Sequence, residues 1–192
     1  MTHSAVTDSE ISALVESLWC PDSDGLYPNV FALLDGARDR KIEPMLNQCG
    51  HDYQCLYSGN ISYALKRAAP HIVHLQRQSL FTRKLLQRCW GNSWGIFAIT
   101  PPTVELSKVR NNCRRMAKVE APNGKTLIFR YYDPRVMRKF LPSCETNALH
   151  QVFGPVSTYA MESEDSGALL LHSITPTSNN LYSQLKLVKD SY

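Results

Sequence analysis

Two periodicities alternate along the chain. Near the start, Thr7-Asp8-Ser9-Glu10 precedes Ile11, Leu14, Val15 and Leu18, which recur every three to four residues. A threonine followed three residues later by a glutamate marks a helix N-terminus, and Pro21 supplies the stop. Residues 27–34 are rich in aromatic and aliphatic side chains and close on Asp35-Gly36, the pattern of a buried strand. A helix with Pro44 inside it is expected over 38–48. A short strand follows at 53–57, then a short helix at 62–68 closed by Pro70, then a strand at 71–75.

The second half repeats the alternation. Over 79–90, Phe81, Leu85 and Cys89 share a stripe with Leu86 and Trp90, while Arg77, Lys84 and Arg88 fall along another. Residues 94–100 read as an apolar strand. Thr103 is the expected cap of a helix carrying Leu106, Val109, Cys113 and Met116. Pro122-Asn123-Gly124 reads as a tight turn into a strand over 126–132. Asp133 and Pro134 are suited to the N-cap and first turn of a helix ending near Pro142. Another helix at 145–152 is stopped by Gly154-Pro155. Strands are expected at 157–161 and 168–174, separated by an acidic turn. The Ser/Thr/Asn-rich tail contains an amphipathic piece at 181–188.

Helices alternating with strands predict an α/β fold, a single domain with a mixed sheet and flanking helices. The expected division is a main domain over 1–156 and a C-terminal hairpin with a polar tail over 157–192. The length of 192 residues suits this organisation, and 43% hydrophobic with 20% charged residues excludes wholesale disorder.

Charge changes the picture more than composition does. Residues 1–65 carry 3 Lys/Arg against 9 Asp/Glu, residues 66–139 carry 16 against 3, and residues 140–192 carry 2 against 5. A middle with a net charge of +13 points to an acidic partner, to nucleic acid, or to neutralisation by the chain's own acidic ends. The start, Met-Thr-His-Ser-Ala, has no basic or apolar leader, and the apolar runs at 30–34 and 168–171 are too short for a bilayer. The expected address is the cytoplasm, with no membrane contact. Six dispersed cysteines are expected as free thiols there.

Motifs for chemistry lack their context. Gly91-Asn92-Ser93-Trp94-Gly95 matches G-x-S-x-G, but a nucleophile elbow has its strand before the serine and its helix after, the reverse of the pattern here. Cys49, His51 and Cys55 lack the further ligands a zinc site needs. His71 and His74 have no adjacent carboxylate. No phosphate-cradling glycine motif is present. The expectation is a protein without catalytic residues, metal or cofactor.

The densest signal is Phe129-Arg-Tyr-Tyr-Asp-Pro-Arg, running to Arg135. It brings Arg130, Tyr131 and Tyr132 to a helix start at Asp133. On that helix, Val136, Met137, Phe140 and Leu141 form an apolar face, and Arg135, Arg138 and Lys139 a basic one. Two readings coexist: a well-built corner in which Arg130 or Arg135 braces a carboxylate, and a protein interface, where Arg and Tyr are favoured. The partner-binding candidates are therefore Arg130, Tyr131, Tyr132, Arg135, Arg138 and Lys139.

These residues, with Val136, resemble the signature of the type VI secretion effector-adaptor chaperones, the domain of unknown function 4123. Other blocks agree in order: the Phe-Ala-Leu-Leu-Asp-Gly-Ala stretch within 27–37, Ala-Pro-His-Ile-Val-His-Leu at 69–75, a block containing Trp90, Gly91, Trp94 and Gly95, and Phe153-Gly154-Pro155. At one place the family has Pro-Tyr where this chain has Pro70-His71. With Asp133 and Pro134, these blocks are expected to be structural. The resemblance covers roughly 27–156. It implies a cytoplasmic bacterial adaptor, without enzyme activity, that binds a secreted effector and helps load it onto the VgrG spike. The rival reading is a basic nucleic-acid-binding module.

Overall fold

The strand β1 (Asn29–Asp35) lies at the centre of a sheet and is buried along almost its whole length. The computed structural model describes residues 6–120, 124, 126–175 and 179–188. On one side β1 pairs with β3 (Pro70–Leu75), whose outer neighbour is β2 (Tyr53–Cys55). On the other side it pairs with β4 (Gly95–Thr100). A separate two-stranded ladder joins β5 (Lys118–Glu120) to β6 (Thr126–Ile128). The main sheet then continues through β7 (Thr158–Glu162), β8 (Ala168–Ile174) and β9 (Leu181–Leu187), giving the order β2-β3-β1-β4-β7-β8-β9.

Helices cover both faces. α1 (Asp8–Leu18), α2 (Ile42–Asn47) and α4 (Leu80–Cys89) pack Ile11, Leu14, Leu18, Ile42, Leu46, Leu85 and Leu86 against Val30, Ala32 and Leu34 of β1. The short α3 (Tyr63–Ala68) buries none of its side chains. α5 (Leu106–Met116), α6 (Pro134–Phe140) and α7 (Thr146–Phe153) pack Val109, Cys113, Met137, Leu149 and Phe153 on the opposite face, against Phe31 and Leu33. A strand covered on both sides reads as a continuous apolar run instead of an alternation, which is why residues 30–34 look as they do.

The single α/β arrangement with flanking helices matches the sequence expectation, but the sheet is not mixed. Every pairing among the described residues is antiparallel. Helix-strand alternation ordinarily signals parallel neighbours. Here β3 and β4, joined through α4, do run parallel, but β1 lies between them and is antiparallel to both.

Local chemistry explains most boundaries. Thr7 forms the expected capping box with Glu10: its hydroxyl accepts from the Glu10 amide at 3.2 Å, and its own amide donates to the Glu10 carboxylate at 2.7 Å. Thr103 does not cap α5; Glu105 occupies that position, without a side-chain cap. The strand expected over 126–132 ends at Ile128. The Phe129 amide bonds the Ala117 carbonyl, the Asp133 amide bonds that of Arg130, and the chain turns inward. Pro122 and Asn123 lie outside the described residues. The amphipathic piece at 181–188 is the outer strand β9, with Tyr182, Leu185 and Leu187 exposed. Residues 157–174 extend the same sheet, β7 pairing with β4 and β8 with β7. No helix among the described residues is long and apolar enough to cross a membrane.

Candidate functional site

The corner at 129–140 is built from buried aromatics and tethered arginines. Tyr131 and Tyr132 were partner-binding candidates, but both are buried. The Tyr131 hydroxyl donates to the Cys113 carbonyl at 2.9 Å, and the two rings meet edge to face at 5.4 Å. Burial, first, and the neighbouring Tyr57 raise the Tyr132 hydroxyl far above its ordinary range. β6 ends early, at Ile128: once the backbone leaves the ladder, both rings turn into the core and neither can meet a partner.

The arginines stay at the surface, and three of them are held there. Arg130 is about half exposed, and its guanidinium pairs with Asp35, a carboxylate only 1% exposed at the end of β1. Asp133 caps α6 as expected, its Oδ1 accepting from the Arg135 amide at 2.9 Å. Arg135 then returns a fork to the same carboxylate, through Nε at 2.9 Å and Nη2 at 2.6 Å. Burial opposes ionisation of Asp133, but the hydrogen bonds and charge of Arg135 outweigh it and hold the carboxyl below its ordinary range. Arg138 lies on the basic helix face that the sequence predicts. It is half buried, and its Nη1 donates to the Glu162 carbonyl at 2.8 Å. Lys139 is exposed and has no side-chain partner among the described residues.

The G-x-S-x-G turn joins the same network. Glu162, on β7, is buried, and its carboxylate accepts from the Gly91 amide at 2.5 Å, the Ser93 amide at 3.0 Å and the Ser93 hydroxyl at 2.9 Å. Ser93 has φ +53°, a conformation uncommon for a residue with a Cβ. It follows α4 and precedes β4, and no histidine bonds its hydroxyl among the described residues. The arrangement anchors a turn. The tryptophans flanking it, Trp90 and Trp94, are buried, and Trp90 Nε1 donates to the Ser166 carbonyl at 2.9 Å. Gly95 lets two strands touch: a Cβ there would sit 2.0 Å from the Leu33 carbonyl oxygen.

The last block is architectural too. Phe153 packs edge to face on Tyr159 at 5.2 Å. Gly154 has φ +49°, and a Cβ there would meet the Asn112 side chain at 2.5 Å. Pro155 follows it and leads into β7. The Asn112 amide in turn donates to the Val152 carbonyl at 2.9 Å.

The remaining sequence candidates stay apart. All six cysteines are free. Burial raises the Cys113 thiol to about 12 and raises that of Cys89 still further, so neither is a ready thiolate. Cys49 and His51 bond through sulfur and main chain, and the His51 ring bridges the His74 carbonyl at 3.0 Å and the Ser79 hydroxyl at 2.8 Å. No cluster of three metal-ligating side chains exists among the described residues. His71 is buried with neither ring nitrogen hydrogen-bonded, and burial lowers its basicity. His74 stacks on Phe31 at 4.8 Å.

At the surface of the corner lies a shallow depression on α6, with Arg135, Val136, Lys139 and Phe140 in its lining. Asp35 and Glu162, the acids that hold its surroundings, were not singled out from the sequence. Each lies far along the chain from the group it holds, and no spacing rule links them. A family model, Domain of unknown function (DUF4123), matches residues 30–151. No curated protein and no solved structure matches the chain.

Proposed function

This chain belongs to the DUF4123 family, and on that premise we propose that it is a bacterial adaptor that binds a type VI secretion effector and helps load it onto the VgrG spike. In this reading the protein acts in the cytoplasm before secretion and performs no catalysis of its own. The observation that carries the proposal is the exposed face of α6. Arg135 is held in one geometry by the Asp133 fork, and Val136, Phe140 and Lys139 lie beside it. A guanidinium already ordered loses little freedom when it meets a partner, and apolar contacts beside it favour protein over solvent.

Affinity purification of the tagged chain from the bacterium that produces it, with partners identified by mass spectrometry, tests the proposal. Recovery of a toxin-bearing effector and of the spike protein is the expected result. Lys139→Glu is the cleanest interface variant, because Lys139 has no internal partner among the described residues. It should diminish one of the two complexes and leave the other. Recovery of neither partner would overturn the adaptor reading, and copurifying nucleic acid in their place would favour the rival one.

A further inference from the structure

A second basic surface lies on the opposite face of the sheet, away from α6. There an open groove between α4 and the start of α2 is lined by Arg40 and Lys41 just before α2, Lys84 and Arg88 on α4, and the half-buried Met45 and Phe81. No acidic side chain lines it among the described residues. All four cations are exposed, and none has an ion pair or side-chain hydrogen bond among the described residues. Nearby arginines differ: Arg67 pairs with Glu43, and Arg83 with Asp8. Uncompensated like charges around one cleft repel each other, and that repulsion is relieved when an anion enters.

We infer that the groove between α2 and α4 is a docking site for an acidic, extended protein segment carrying an apolar side chain. The four exposed cations can meet carboxylates, and the half-buried Met45 and Phe81 offer apolar surface beside them. Nucleic acid fits less well. Single strands bind by stacking bases on exposed aromatic rings along a basic track. Among the described residues, Phe81 is the sole aromatic residue lining the groove, and its ring already packs against His51 at 4.9 Å. The inference rests on charge and geometry and does not depend on the adaptor reading.

Fluorescence anisotropy on the full chain tests it, with a labelled peptide of alternating Glu and Asp around a central Leu as the probe. The acidic peptide should bind, and its Gln/Asn counterpart should bind at least about tenfold more weakly, as expected when charge complementarity is removed. The double variant Lys84→Glu with Arg88→Glu should weaken the acidic peptide by a similar factor. Lys108→Glu, at an exposed site on α5 across the sheet, should leave it unchanged. Lys84→Gln with Arg88→Gln, which adds no new repulsion, should give an intermediate loss. Retention of full affinity in the double charge reversal, or no binding of the acidic peptide, would overturn the inference. So would tighter binding of an oligonucleotide of equal charge. Peptide binding that persists where effector and spike fail to copurify would sink the adaptor reading and leave this one standing.

Discussion

The α6 corner and the α2–α4 groove are both basic, yet their charges are in opposite states. At the corner, Arg130, Arg135 and Arg138 each have an internal partner, in Asp35, Asp133 and the Glu162 carbonyl. In the groove, Arg40, Lys41, Lys84 and Arg88 have none among the described residues. A count of positive charge treats the two regions alike. Their energetics differ: a guanidinium tied to a buried carboxylate is ordered in advance but has part of its hydrogen-bonding capacity committed to the fold, whereas an unpaired one meets a ligand with all of it. Density of arginine in a sequence motif therefore does not distinguish a pre-ordered surface from an uncompensated one.

That contrast can be broken most forcefully at Glu162. Its carboxylate serves two amides and a hydroxyl in the 91–93 turn. Glu162→Ala should cost about 2–3 kcal/mol, since donors partly removed from water lose their acceptor. Denaturant unfolding measures it, and an unchanged midpoint would show that solvent serves the turn equally well. Next in size is Asp133→Ala, at about 1 kcal/mol for loss of the N-cap. Its pH dependence sharpens the test. A carboxylate held below its unfolded value stabilises fully above that value, near 4, and the contribution is lost as pH falls through the lower folded one. The parent protein should lose stability below about pH 4 that Asp133→Ala never had; parallel pH profiles would refute the coupling. Arg138→Glu should fall just below this, at roughly 0.5–1 kcal/mol, because it loses a charge-assisted bond to a carbonyl at a half-buried site. In the groove, Lys84→Glu should change stability by less than about 0.5 kcal/mol, as surface substitutions do. A thermal melt displaced as far as that of Asp133→Ala would mean that the groove, too, is part of the fold.

Much of the architecture was legible from residue pattern alone. The capping box at Thr7, the buried run at 30–34 and the Asp133-Pro134 helix start are local signals, and the structure contains all three. The misses are non-local. Nothing near residues 126–132 reveals that a two-residue turn draws Tyr131 and Tyr132 inward, because aromatic and β-branched residues suit a strand and a core equally well. Nothing near residues 70–100 reveals that an earlier strand slips between β3 and β4. The candidate site follows the same rule. Arg130 and Arg135 were read as possible braces, and Asp133 was identified as a cap, but Asp35 and Glu162 become visible only when the sheet brings distant segments together.

The place of β1 in the sheet has a consequence for how the chain acquires its structure. Val30 finds its partners in Leu75 and Ile99, both much later in the chain. During synthesis this central, buried strand therefore emerges before both neighbours and waits for them, exposed to aggregation or to capture by chaperones until β4 has left the ribosome. Pairings this distant in sequence also predict slow refolding for a domain of this size. Premature termination before Gly95 would leave the central strand with one empty edge, so the nascent chain has no shorter intermediate with a closed core to fall back on.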